Sequence, residues 1–391
     1  MLAVPYEVTP YSKGRYVVSL SPDNHFIVNE STAQLLAAMR VSNSLESAHQ
    51  NFLKTSTSKV DYAEFAEFAK NVQALLSQPA DGEKPRSSSY ARFRLPLIDG
   101  ARVVRRLSWL RVLFLPRPFT FLAVSAVLGA TWIVCSMHPG LRLAGSINPA
   151  MACLLLLAAT FIHETGHALA GNAYGARPGK MGIGFYLFLP VAFVDMTDAW
   201  RLSRRQRVIT DLAGPCVETV YAVALATVGN VANSPTCRLV AAVAITRVLF
   251  QLLPFFRTDG YWALSDLLQI PDLSKSGARA LTDIATHTVR GRFNDLTSTF
   301  QAKWGFALFG ILNLACGVYL LFRMAGFIGR SASESARKMW ISLVTHQPVS
   351  LELTFTDVLG LLFAIFLLNS LWRRLRQWQK GESRADPEKM L

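Results

Sequence analysis

Charge is scarce in this chain, and so is cysteine. Only 17% of its 391 residues are Asp, Glu, Lys or Arg, against 51% hydrophobic residues. That balance argues against two or three ordinary soluble domains and points to a polytopic membrane protein. Five cysteines, Cys135, Cys153, Cys216, Cys237 and Cys316, make an odd count with no CxxC spacing. They exclude a thiolate zinc site and a disulfide framework. Acidic residues are outnumbered 26 to 40 by Lys and Arg, for a net charge of +14. The arginines sit beside apolar runs and form no separate basic domain, so the expected counter-charge is an anionic lipid headgroup and not nucleic acid. No secretory leader is visible either. MLAVPYEVTPYSKGRYVVSL has no continuous apolar stretch behind a basic start, and the expectation is an N-terminus in the cytoplasm.

What is present falls into four parts. Residues 1–78 read as a small soluble α+β domain. RYVVSL and HFIVN have strand character, STAQLLAAMR and YAEFAEFAKNVQALL are amphipathic, and Asn29 or Ser31 caps the first helix. Residues 79–117 comprise a polar linker within QPADGEKPRSSS and a basic stretch, ARVVRRLSWLRVLFLPRP. The latter interleaves Arg102, Arg105, Arg106, Arg111 and Arg117 with Trp109, Leu110 and Phe114, the composition of a helix lying on the inner leaflet. Residues 118–270 hold four apolar runs, near 118–137, 147–170, 206–229 and 237–256. Residues 271–391 hold two more, near 304–327 and 351–372, and a basic tail.

A membrane crossing takes about 20 apolar residues, so the expectation is a mostly α-helical membrane protein of about six spans. Six crossings place RPGK, RLSRRQR, SKSGAR and RRLRQWQK on the side of the N-terminus. The positive-inside rule makes that side the cytoplasm, with both termini there. GRSASESARKMW is then an external loop, and MGIGFYLFLPVAFVD, too short to cross, a membrane-dipping hairpin.

The chemistry concentrates in FIHETGHALA, directly after the apolar run INPAMACLLLLAAT. On a helix His163 and His167 share a face four residues apart, with Glu164 on the adjacent edge: the HExxH spacing of zinc hydrolases. Paired histidines at a helix end are the bland alternative, but ionisable groups inside a span call for a function. Zn²⁺ needs a third protein ligand and an open position. Asp259, Asp211, Glu218, Asp195 and Asp198 are the carboxylates within range, and depth in the bilayer does not choose between Asp259 and Asp211. Gly260 would let the backbone approach an ion.

HETGH on a transmembrane helix, followed two spans later by QLLPFFRTDG, resembles the site-2 protease family of intramembrane zinc metalloproteases. Its second motif reads Asn-x-x-Pro-x-x-x-x-Asp-Gly, which Pro254, Asp259 and Gly260 match in register. The resemblance implies His163, His167 and Asp259 as zinc ligands and Glu164 as catalytic base. It extends over roughly residues 147–270 and includes Ala213-Gly214-Pro215. Gln251 and Glu218 depart from it, each standing where the family commonly has asparagine.

FVDMTDAWRLSRRQR and DGYWALSDLLQIPDL are similar to a bacterial branch of peptide zinc metalloproteases, and the N-terminal pattern resembles a PqqD-like winged-helix fold that grips leader peptides. The implied function is a zinc metalloendopeptidase of the bacterial inner membrane. It would cleave a peptide precursor or single-span protein near the cytoplasmic face, with peptide-modification or export partners. A protease acting on a signalling regulator is a second reading, and a non-hydrolytic zinc or peptide binder for export or immunity is a third.

Overall fold

A computed structural model describes residues 6–12, 14–21, 24–56, 60–77, 91–136, 146–186, 189–270, 272–290 and 300–345. The polar linker 78–89, the sixth apolar run and the basic tail lie outside the described residues. The molecule is mostly α-helical. It divides into two compact units, one comprising Met1–Gly184 with Val191–Leu273, the other Phe185–Pro190 with Ser274–Leu391.

The first unit begins with a three-stranded antiparallel sheet: β1 (Glu7–Ser12), β2 (Arg15–Ser21) and β3 (Asn24–Asn29), with Val18 paired to Val8 on one side and Phe26 on the other. The sequence expectation of two strands thus lacked β1. Asn29 ends β3 and caps α1 (Glu30–Val41), its Oδ1 accepting the Thr32 N–H at 2.8 Å. A reciprocal Ser44–Ser47 capping box starts α2 (Leu45–Thr55), and α3 (Tyr62–Ser77) closes the domain. Phe52 and Phe65 meet with ring centroids 5.4 Å apart, over a core that includes Val18, Leu35 and Leu36. Each such side chain, fully buried, contributes roughly 2 to 3 kcal/mol.

Past the linker, β4 (Ala91–Asp99) pairs with β5 (Lys180–Tyr186), which pairs with β6 (Leu189–Val194). The expected hairpin is therefore two strands of a sheet whose third strand comes from far upstream. The basic stretch is not one helix. Asp99 caps a two-turn helix α4 (Gly100–Arg106), and a 3₁₀ helix, Ser108–Phe114, follows with Trp109, Val112 and Leu113 exposed and Phe114 buried.

Among the described residues, three helices are long and apolar enough to cross a membrane: α5 (Pro116–Ser136), α6 (Pro149–Ala173) and α7 (Arg204–Val231). Their outer faces carry Phe121, Val127, Leu128, Leu154 and Leu157 exposed, as contact with hydrocarbon favours. A fourth apolar helix, α8 (Pro235–Gln251), packs on α7 through Val240, Ala241, Ala244 and Ile245. It stops at Gln251, short of the expected 256. A turn then leads into α9 (Asp259–Leu268).

The second unit contains α10 (Leu273–Arg290) and α11 (Phe300–Thr345). The latter runs unbroken through 329–340, where an external loop was expected. Ser331, Ser333, Glu334 and Lys338 are polar but none breaks a helix, and no Gly or Pro interrupts 330–345.

Candidate metal centre

Helix α6 is capped by Asn148 and carries His163 and His167 one turn apart, both buried, with Glu164 half-buried beside them. The face they share packs on α7 without side chains between. A methyl group on Gly166 would stand 2.9 Å from the Ala213 carbonyl oxygen, and one on Gly214 would stand 2.3 Å from His167 Nε2 and 2.8 Å from His163 Nε2. Gly214 is thus the floor of the site, which is the physical content of the Ala213-Gly214-Pro215 element. Pro215 next to it has no N–H to give the Asp211 carbonyl.

Asp259 arrives from the other direction. Thr258 Oγ1 donates to the Gln251 carbonyl at 2.8 Å, and a Cβ on Gly260 would fall 2.1 Å from the Leu252 carbonyl oxygen. The turn 251–260 therefore closes tightly on itself and sets Asp259 at the start of α9. Gly260 serves this backbone crossing rather than approach to an ion.

Three side chains converge. His163 Nε2 and His167 Nε2 are 3.0 Å apart, Asp259 Oδ2 is 3.1 Å from the first and Asp259 Oδ1 3.4 Å from the second. All ligand atoms lie within 4.8 Å of one another. The opposite edge of each imidazole is committed. His163 Nδ1 is 2.8 Å from Glu218 Oε2, and His167 Nδ1 is 2.7 Å from the Thr210 carbonyl. A carbonyl oxygen and an ionised carboxylate only accept, so each ring donates from Nδ1 and turns Nε2 toward the other two groups. Two imidazole nitrogens and a carboxylate this close call for a proton or a metal ion among them. Zinc–ligand bonds of about 2.0 to 2.1 Å in a tetrahedron put ligand atoms about 3.3 Å apart, close to the 3.0 Å between the two Nε2 atoms and the 3.1 Å from His163 Nε2 to Asp259 Oδ2. The residues fit a zinc ion.

The competing carboxylates are engaged elsewhere. Asp195 caps the turn at Thr197, whose N–H is 3.1 Å from Oδ1; Asp198 is buried and paired with Arg201 at 2.6 Å. Asp211 lies against Asp266 rather than in the cluster, and Asp266 in turn holds Arg207 at 2.8 Å. Glu218 faces the back of His163. Gln251 has its amide oxygen buried without a hydrogen-bond partner among the described residues. Tyr261 is fully buried, donating to Asp272 at 3.2 Å. The backbone of Val194, at the end of β6, lies near the carboxylate of Glu164.

The sequence reading passed over Arg247. Its Nε donates to Glu218 Oε1 at 2.8 Å, and its Nη1 donates to Thr160 Oγ1. A signal was available, since an arginine within AAVAITRVLFQ has no water to solvate it and requires an intramembrane partner.

The model of peptidase family M50 matches residues 151–356, more than half of the chain. The chain belongs to peptidase family M50. No curated protein and no solved structure matches it. The M50 match begins in α6 just before HETGH and carries with it an intramembrane metalloprotease, in a family that is zinc-dependent in general. Membership, together with the apolar helices α5, α6 and α7, makes this a membrane protein.

Proposed function

We propose that this M50 chain is a zinc endopeptidase in which His163, His167 and Asp259 hold the metal and Glu164 is the general base. The observation that carries the reading is the meeting of His163, His167 and Asp259, whose ligand atoms lie within 4.8 Å of one another, with Glu164 next to His163 on the same helix. Zinc, when bound, supplies Lewis acidity to an amide carbonyl and to water. Glu164 takes a proton from that water and returns it to the leaving nitrogen. Asp259 and the two histidines fix the ion. Gly214 keeps the floor free of carbon.

Among the described residues β6 lies at the edge of its sheet, with its last residue, Val194, near Glu164. An extended peptide pairing with that edge would present its backbone amide to the base. A helical substrate hides the same amide in its own hydrogen bonds. We assign the substrate to the class of peptide precursors or single-span proteins cut near the cytoplasmic face of a bacterial inner membrane, with both termini of the protease in the cytoplasm. The 1–78 domain is the candidate for gripping a leader peptide and for meeting peptide-modification or export partners. The exposed Trp109, Val112 and Leu113 between arginines suit an anionic headgroup layer.

The test is a set of three variants of the purified full chain, scored for bound zinc and for peptide cleavage. Glu164→Gln keeps its zinc and loses at least ~100-fold in cleavage. Asp259→Asn loses zinc, whereas Asp211→Asn retains it. Cleavage unchanged in Glu164→Gln, or zinc lost from Asp211→Asn and kept by Asp259→Asn, defeats the assignment.

A further inference from the structure

Glu218 and Arg247 stand outside the ligand set, yet they form an ion pair on a fully buried carboxylate. Glu218 is 0% exposed, and its two oxygens have separate tasks: Oε2 faces His163 Nδ1 at 2.8 Å, while Oε1 receives Arg247 Nε at 2.8 Å. Arg247 reaches this position from α8 and is braced by Thr160 on α6, one turn before His163. The chain Thr160–Arg247–Glu218–His163 therefore joins α6, α7 and α8 in a closed polar loop and returns to the helix it left. Nothing in helix packing requires such a loop, because Val240, Ala241, Ala244 and Ile245 already seat α8 on α7.

We infer that Glu218, held by Arg247, is the positioning residue for His163: it fixes the ring's Nδ1–H tautomer and its angle, so that Nε2 is presented to the metal. The inference rests on the ligand assignment proposed above. A carboxylate accepting from the far nitrogen of a ligating imidazole both orients it and raises its basicity. Here the carboxylate would also add a negative charge beside the site, and Arg247 removes that excess. With a divalent cation held, Asp259, Glu164 and Glu218 contribute three negative charges and Arg247 one positive, so the buried set sums to zero. The partner ligand, His167, is served differently, by the neutral Thr210 carbonyl, and needs no counter-charge.

The bland alternative is that Glu218 exists only to neutralise Arg247. Two paired variants of the full chain in detergent separate these roles. Glu218→Leu with Arg247→Met removes both charges and the acceptor. Glu218→Gln with Arg247→Met removes both charges but keeps a neutral acceptor facing Nδ1. Zinc dissociation constants are read by competition with a chelating dye, Co²⁺-substituted absorption reports ligand geometry, and the thermal midpoint of the metal-stripped protein reports folding.

The expected result is a metal-stripped midpoint at or above wild type for both pairs. Zinc affinity falls 10- to 100-fold with an altered Co²⁺ band for the leucine pair, and returns to within a few-fold for the glutamine pair. Wild-type zinc affinity and an unshifted Co²⁺ band in the folded leucine pair would overturn the inference and leave the ligand assignment standing. A wild-type chain that takes up no zinc would remove both.

Discussion

Gly214 shows how much a single position decides. Its absent side chain is the space into which both Nε2 atoms point, and no rotation of an added methyl avoids His167 at 2.3 Å. Alanine is the better helix former by roughly 1 kcal/mol, so Gly214→Ala should leave helical content intact while displacing His167 from its ligand position. Circular dichroism unchanged with zinc content at half or less is the expected pair of readings; full zinc occupancy would show that the ring has room to move. His163 and His167 illustrate the converse. Their spacing was legible as a motif, but which nitrogen of each faces inward depends on Glu218 and Thr210, residues 55 and 43 positions away. Spacing along a helix says nothing about the far side of the ring.

At the level of elements, β1 is the part that local pattern least revealed and that long-range contacts most involve. Tyr11 near its end is buried against Trp200, with ring centroids 5.8 Å apart, under the Arg207 guanidinium at 4.6 Å. Gln269 donates to its carbonyl at 2.9 Å, and Glu7 pairs with Arg201 at 3.2 Å. The sheet domain is thus seated on the start of α7 and the end of α9, the two helices that carry Gly214 and Asp259. The Tyr11 hydroxyl has no hydrogen-bond partner among the described residues. Burial, reinforced by Asp266 and opposed by Arg207 and Arg15, pushes it up to about 12.

An acid held more tightly in the folded chain than in the unfolded one, where its pKa is near 10, gives its full contribution below that value. The contribution is lost as pH rises from about 10 toward 12. Tyr11→Phe should therefore match or exceed wild-type stability at neutral pH, since no bond is lost. Its advantage should grow above pH 10. Thermal midpoints of both full chains between pH 9 and 11.5 check this, as lysines titrate alike in each; a constant difference would contradict it.

At the scale of the whole molecule, the proposed ligands come from two helices of one compact unit, α6 and α9, which are separated along the chain by α7 and α8. A cation shared among them ties distant segments, and a ligand at a thousandfold over its dissociation constant stabilises by about 4 kcal/mol. Stripping zinc with a chelator should lower the thermal midpoint by several degrees, with recovery on adding zinc back. Asp259→Asn should show neither fall nor recovery. An unchanged midpoint in the wild-type chain would mean that the metal does not bridge these elements in the folded state.

The sequence by itself determined that this is a helical membrane protein, that α6 carries His163 and His167 on one face with Glu164 beside them, and that Asp259 and Gly260 form a second motif element. These are properties of composition and of short spacings, which a helix or tight turn converts directly into geometry. Only tertiary structure decided that Asp259 rather than Asp211 faces the histidines, that β4 joins the hairpin strands, and that Glu218 lies behind His163 with Arg247 behind it. Each of those depends on which faces of distant segments meet. In a low-dielectric interior the meeting is governed by pairing of charges and closeness of backbones, and neither leaves a periodic trace along the chain.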